Sequence, residues 1–231
     1  MNLLIVGING KMGQILGNIA KENGYNVVGM DKNINTLDKN IKVFENFDKI
    51  SSELSKKIDV VIDFALPEVI TDELEFCIKN HKKLIICSTG HNRKQFKSIE
   101  QASNIIPIFK ASNTSIGIAL VEKILRDNLS ILSTYQIEII EKHHKNKKDI
   151  PSGTAKEVLS TLKNKANIYS IRAGSVVGEH EILLFGNDEQ ISIKHIAESK
   201  KLFAFGAIKI AEFMQKQNSA RLYSMNDLLN S

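Results

Sequence analysis

The chain has 231 residues, 42% of them hydrophobic and 25% charged, with a formal net charge of +5 and no tryptophan. That length holds one large or two modest domains around a buried core, and the composition is that of an ordinary soluble globule. Scattered lysines without interleaved aromatics argue against a nucleic-acid surface, and no apolar run approaches membrane-spanning length, so neither nucleic acid nor membrane is expected as a partner. Cys77 and Cys87 lie in apolar segments without a redox or ligand spacing and read as reduced core residues. Met1 leads straight into a strand-like run, with no charged n-region of a leader, so a cytoplasmic location is expected.

In chain order, Leu3 to Val6 is a short apolar run that predicts a strand. Lys11 to Glu22 carries apolar residues at Met12, Ile15, Leu16 and Ile19, the spacing of one helix face. Between them runs Gly7-Ile8-Asn9-Gly10-Lys11-Met12-Gly13. A strand, a glycine turn and a helix in succession let a pyrophosphate approach bare backbone at a helix N-terminus. The spacing departs from the usual Gly-x-Gly-x-x-Gly, because Ile8 and Asn9 separate the first two glycines. A second strand, Asn26 to Met30, ends at Asp31, about 20 residues past the turn, where an acid would hydrogen-bond the adenosine ribose. Lys32 follows, and a cation there would pair with the extra phosphate of NADPH, so the two residues predict acceptance of NADH and NADPH. The plainer alternative is that Asp31 only opens a turn.

Alternation continues with strand Asp59 to Phe64, helix Pro67 to Asn80, strand Leu84 to Cys87, helix Arg93 to Ala102 and strand Ile105 to Phe109. Such a series implies an α/β, doubly wound parallel sheet of Rossmann type, whose ligands sit beyond the carboxyl ends of the strands. Those ends are Phe64 to Pro67, Ser88-Thr89-Gly90 and Ala111 to Thr114. Ser115 then reads as the N-cap of a helix from Ile116 to Leu129, with Ile116, Leu120, Val121, Ile124 and Leu125 as one core-facing stripe. Strands are expected at Tyr135 to Glu141, Ile168 to Arg172, Glu179 to Phe185 and Gln190 to Ala197, followed by a helix from Ala207 to Lys216. Together they predict a smaller α+β domain with a mixed sheet.

The first of those later strands delivers the densest stretch, Glu138 to Ala155. A loop crowded with Lys142, His143, His144, Lys145, Lys147 and Lys148 is expected to turn at Pro151 into a helix. Thr154 with Glu157 fits a capping box, and Ser152 is a rival N-cap. Unpaired amides at that helix start and the loop lysines can converge on one anion. An imidazole can pass a proton near neutrality, and a lysine crowded by cations becomes a better acid. A solvated basic turn is the bland alternative. No metal is expected, because adjacent histidines on extended chain point to opposite faces and no further ligand lies at a suitable spacing. His180 and His195 alternate with strand neighbours and are read as structural.

The run Glu138-Ile-Ile-Glu-x-His143-His144-x-x-Lys147-x-Asp149-x-Pro151-Ser152-Gly153-Thr154-Ala155 resembles the signature of the dihydrodipicolinate reductase family. The resemblance extends to Gly7 through Gly13, Asp63-Phe64 with Pro67-Glu68, Ser88-Thr89-Gly90 and Ala111 through Ser115. It continues in Gly178-Glu179-His180 after Arg172, in Ala204 to Ala207 and in the tail from Leu222, so it spans nearly the whole chain. It implies NADH- or NADPH-dependent reduction of 4-hydroxy-tetrahydrodipicolinate to tetrahydrodipicolinate with loss of water, in the diaminopimelate route to lysine. The cofactor contacts it implies are Gly7, Ile8, Asn9, Gly10, Lys11, Met12, Asp31, Lys32, Phe64, Cys87, Ser88, Thr89, Ala111, Ser112, Asn113, Thr114 and Lys209. Substrate contacts fall on His144, Ser152, Gly153, Thr154 and Thr89. His143 and Lys147 are the proton-transfer pair, with Lys147 favoured as donor and their order left open.

The same resemblance places a dinucleotide-binding domain at residues 1–113 and 207–231, a substrate and oligomerisation domain at 114–206, and implies a homotetramer. With cofactor and loop on different domains, closure is expected to assemble the site. Departures from the family pattern are Cys87-Ser88 in place of a small residue plus threonine, Thr114 where an aromatic or Met is common, and Lys209 for a more usual Arg, which keeps charge but loses bidentate geometry. The segment between Lys163 and Arg172 is also shorter than in longer relatives. Two rivals remain: a dehydrogenase of like architecture for another small anion, such as aspartate dehydrogenase, and a redox-sensing regulator or nucleic-acid binder that uses the nucleotide fold as a switch.

Overall fold

A computed structural model describes residues 1–35 and 38–231. The chain divides into two compact units, Met1–Thr114 with Phe203–Ser231, and Ser115–Leu202. In the first, β1 (Asn2–Val6) leads through the glycine turn to α1 (Lys11–Glu22), β2 (Asn26–Met30) and the short β3 (Lys42–Phe44). Then come α2 (Ser52–Lys57), β4 (Val60–Asp63), α3 (Ile70–Lys79), β5 (Lys83–Ile86), α4 (Arg93–Ser103) and β6 (Ile108–Lys110). Leu3 to Val6, Val60 to Ile62 and Leu84 to Ile86 have no exposed surface. Continuous apolar runs of this kind are what a parallel sheet covered on both faces requires.

Two boundaries differ from expectation for identifiable reasons. Pro67–Val69 forms a separate 3-10 turn, so α3 begins at Ile70. The amides of Ile105 and Ile106 both bond the Ala102 carbonyl and so close α4, and Pro107 has no amide to give a ladder, which moves β6 to Ile108.

The second unit holds α5 (Ile116–Asp127), α6 (Leu129–Leu132), β7 (Gln136–His143), α7 (Gly153–Thr161), β8 (Asn167–Arg172), β9 (Gly178–Phe185) and β10 (Gln190–Ala197). Its sheet has the order β10-β9-β7-β8, with β7 and β8 parallel and the other pairs antiparallel. Val121 and Leu125 of α5 and Ala155 and Val158 of α7 pack with Ile137, Ile139, Ile182 and Leu184 on one face of this sheet. Leu120 and Ile124, expected in the same stripe, are exposed: they sit on a neighbouring row of the helix, and the sheet covers one row. The other face of the sheet carries Tyr169, Ile171, Phe185 and Ile196, all exposed, around Lys142, Glu179 and Lys194, with Glu179 bridging the two lysines.

The chain then returns to the first unit through α8 (Lys201–Gln215), β11 (Leu222–Tyr223) and α9 (Met225–Leu229). β11 adds to β6 in parallel, completing a seven-stranded sheet of order β11-β6-β5-β4-β1-β2-β3. α8 starts six residues earlier than the sequence suggested, because Gly206 lets the helix meet the chain before α5: a Cβ there would stand 1.7 Å from the Thr114 carbonyl oxygen. The return point is therefore Phe203, ahead of the expected residue 207.

Candidate active site

The first unit builds a nucleotide cradle from backbone. Gly7 lies at φ +77, and a Cβ on Gly13 would fall 2.1 Å from the Gly7 carbonyl oxygen, so the first turn of α1 sits directly on the turn that precedes it. Gly10 caps α1 without a side-chain bond, which leaves the first amides of the helix facing outward. Asp31 stands beside them: one carboxylate oxygen accepts the Asn9 amide at 3.1 Å and the other the Asn33 amide at 3.1 Å. A cavity of about 550 Å³ opens here, lined by Gly7, Gly10, Asp31, Lys32 and Phe64 among others. Bare backbone for a pyrophosphate next to an acid for a ribose fits a dinucleotide. Ile8 contributes backbone alone, since its side chain is buried and packs against Gly17 and Gly29.

The strand-end loops are more selective than the sequence implied. The Ser88 hydroxyl is turned inward and donates to Asp63, itself bonded to the Ala65 amide at 2.7 Å, and it lies 3.3 Å from His91 Nε2. Burial pushes the Asp63 carboxyl up and the Cys87 thiol well up, so Cys87 is a packed thiol. Thr89 is left exposed at the loop tip, while Ala111 is buried and Ser112 exposed. Thr114 is buried with its hydroxyl committed to the Phe203 carbonyl at 2.7 Å, so its side chain is a tie within the unit. Lys209 is not brought to the cradle: it pairs with Glu212 at 2.8 Å, and Glu212 also holds the Tyr25 hydroxyl at the opposite end of β2 from Asp31.

The second unit builds its cluster at the end of β7. This strand runs through Lys142 and His143, which pair with Ile171 and Arg172 of β8, so His143 is a strand residue where a loop residue was expected. Alternation puts Glu141 and His143 on the covered face of the sheet behind Ile137 and Ile139. Glu141 is fully buried and is satisfied by four residues, Ser170 of β8 among them. Arg172 grips it with both terminal nitrogens at 2.8 and 2.6 Å, His143 Nδ1 lies 2.5 Å away, and the Ser152 amide donates at 3.2 Å. Burial alone would raise its carboxyl, yet the Arg172, Ser170, His143 and Ser152 bonds hold it at about 2.

That carboxylate determines what His143 is. Burial lowers the imidazole pKa and Glu141 restores part of it, with a net downward shift. A neutral ring that bonds a carboxylate through Nδ1 carries its hydrogen there and keeps a lone pair on Nε2. His180 stacks edge-on against it at 5.2 Å and contacts the Ser152 hydroxyl at 3.2 Å, with its own pKa pushed down to about 4, by burial first. The turn after β7 carries His144 and Lys147, whose ammonium meets Asp149 at 2.8 Å.

Ser152 is the N-cap of α7: its hydroxyl accepts the Ala155 amide at 3.2 Å, and the cap falls there and not on Thr154. Beyond the cap, the Gly153 amide donates to the Asp149 carboxylate, and Thr154 follows it in the first turn of the helix. His195 serves elsewhere, 3.2 Å from the Ser115 hydroxyl at the start of α5. Among the described residues no group of His, Cys, Asp and Glu is gathered for a metal.

Sequence reasoning missed Glu141, Arg172 and His180 as members of the cluster. Period-two spacing back from His143 points to Glu141, but the partnership with Arg172 depends on strand register, which no local pattern displays.

A glycine cradle with a ribose acid, and a second unit ending in an oriented imidazole, a lysine and a helix mouth, define a nicotinamide-dependent oxidoreductase acting on a small anion. Family models narrow that class: the dihydrodipicolinate reductase N-terminus matches residues 1–114 and its C-terminus residues 117–229. A 4-hydroxy-tetrahydrodipicolinate reductase of Clostridium tetani is 37% identical over 255 aligned positions, covering 100% of this chain and 98% of that protein. The reductase of Caldanaerobacter subterraneus is 35% identical, covering 99% and 98%. Among solved structures, a dipicolinate-bound dihydrodipicolinate reductase from Paenisporosarcina shares the fold, with a TM-score of 0.85 at 20% identity over 98% of both chains. The chain belongs to the dihydrodipicolinate reductase family, oxidoreductases that use NADH or NADPH.

Proposed function

We propose that this chain reduces 4-hydroxy-tetrahydrodipicolinate to tetrahydrodipicolinate, with loss of water, through the cluster at the end of β7. One observation carries the assignment of roles: a single buried carboxylate, Glu141, bonds both the imidazole of His143 and the capping amide of α7. The proton-transfer group and the anion-binding helix start are thereby fixed to one another.

A reduced nicotinamide held by the glycine turn and Asp31 would supply the hydride for C4 of the dehydrated ring. The protein supplies position and a proton. The ring carboxylates are assigned to the helix start at Ser152, Gly153 and Thr154, in exchange for the Asp149 contact of the Gly153 amide, and to His144. The Lys147 ammonium donates the proton that completes the reduction and is left as a neutral amine, and His143, with a lone pair on Nε2, is its partner in proton transfer. Thr89, exposed at its loop tip, is the candidate substrate contact from the first unit.

His143→Gln and Lys147→Ala are each expected to lower kcat by ~10²-fold or more, the scale of a general acid or base, while nucleotide affinity measured by fluorescence is retained. The assay follows nicotinamide oxidation with substrate formed in place from pyruvate and aspartate semialdehyde. Near-normal turnover in both variants would remove the two residues from the mechanism.

The protein is a homotetramer in this reading, built through the uncovered face of the second sheet. A face with Tyr169 53% and Ile196 54% exposed beside Ile171 and Phe185 is more apolar than solvent contact favours. Free, buried Cys77 and Cys87 suit the reducing cytoplasm.

A further inference from the structure

The cavity beside the glycine turn has a charge distribution that its backbone geometry does not require. Four carboxylates line it, Asp31, Glu45, Glu68 and Asp72, against one ammonium, Lys32. None of the five is in an ion pair among the described residues, so the lining keeps an excess of carboxylates over its one ammonium. Asp31 is held by its two amide donors, with lone pairs left for ribose hydroxyls. Glu45 follows directly on β3, and the Asp31 amide bonds the Phe44 carbonyl at 3.0 Å, which sets Glu45 next to Asp31 across the two strand ends.

Resting on the dinucleotide reading of this cradle, we infer that the cavity selects NADH over NADPH: Asp31 takes the ribose hydroxyls, and Glu45, together with Glu68 and Asp72 on the same lining, repels a 2′-phosphate. NADPH differs from NADH there by nearly two negative charges, which must approach a rim carrying a net excess of carboxylates. Lys32 offsets part of that repulsion, so NADPH still binds, more weakly. The effect is electrostatic and acts through solvent, and salt therefore weakens it.

Equilibrium titration of the full chain with each reduced nucleotide, followed by its own fluorescence, reads the selectivity without turnover. NADH is expected to bind ~10-fold or more tightly than NADPH in dilute buffer, with the gap narrowing as salt screens the repulsion. Glu45→Gln should tighten NADPH ~3-fold or more and leave NADH within ~2-fold, because it removes charge without touching a ribose contact. Asp31→Ala should weaken NADH and collapse the difference. Equal affinities in the parent protein, or a Glu45→Gln effect alike on both nucleotides, would overturn the inference while leaving the cradle in place. Failure of both nucleotides to bind would overturn the cradle reading and the selectivity with it.

Discussion

Glu141 carries the cost of a fully buried charge, and Arg172 makes the largest of the contributions that offset it. Removing one partner of such a pair leaves the other uncompensated, typically at about 3–5 kcal/mol. Arg172→Leu is therefore expected to lose stability on that scale in urea unfolding, well beyond the few tenths of a kcal/mol of a surface substitution. Glu141→Gln tests a different consequence. Its carboxylate raises the His143 pKa against the effect of burial, so the amide variant should move the kinetic limb that belongs to His143 to lower pH. An unshifted limb would detach Glu141 from catalysis. Of this cluster, the sequence displayed His143, Lys147 and the helix start, because they lie within one short run. Arg172, 31 residues from Glu141, reaches it through strand pairing that the run itself does not encode.

At the scale of elements, the apolar strands of the first unit were legible because full burial leaves an uninterrupted signature. β3 and β11 were not, being three and two residues long. The stripe on α5 was legible as amphipathic, but which of its two adjacent rows meets the sheet depends on the packing of α7 and β7, and Leu120 and Ile124 fell on the wrong side. Gly206 shows an element boundary imposed by tertiary approach. With 1.7 Å between a would-be Cβ and the Thr114 carbonyl oxygen, Gly206→Ala must displace α8 or the Thr114 backbone. A loss of about 1–3 kcal/mol or more is expected by chemical denaturation, despite alanine's better helix propensity. A neutral or stabilising substitution would show that α8 is placed otherwise.

Across the whole molecule, buried titratable groups pull stability in opposite directions with pH. His180 is shifted from 6.5 to about 4, so the unfolded chain takes a proton that the folded chain refuses, and stability falls as pH drops through that window. Glu122 is raised from 4.5 to about 7, by burial and then by Glu157, so the folded chain keeps a proton that the unfolded chain releases, and stability falls as pH rises. The two oppose each other where the windows overlap, each at no more than about 1.4 kcal/mol per pH unit. Glu122→Gln removes the second contribution, and its melting temperature should therefore drop more steeply than the parent's from pH 6.5 to 4.5. Equal slopes would mean that Glu122 is ionised in the folded protein. Glu141 adds a later loss, since its stabilisation is complete above its unfolded value of 4.5 and fades as pH approaches 2. On the same scale, the tetramer proposed above predicts that Tyr169→Asp on the open sheet face reduces the mass seen by light scattering without loss of secondary structure. An unchanged mass would place the subunit contact elsewhere.

The tie between Thr114 and Phe203 has a consequence for how such a chain arose. Residues 115–202 leave and re-enter the nucleotide unit at points joined by a hydrogen bond of 2.7 Å, with Gly206 admitting the helix against the departing chain at Thr114. An ancestral binder of nucleotides would need only one loop opened at that spot to accept a foreign module, and its seven-stranded sheet would keep every pairing it had. A different module spliced in between the same two residues would bring different substrate chemistry to the same nucleotide unit.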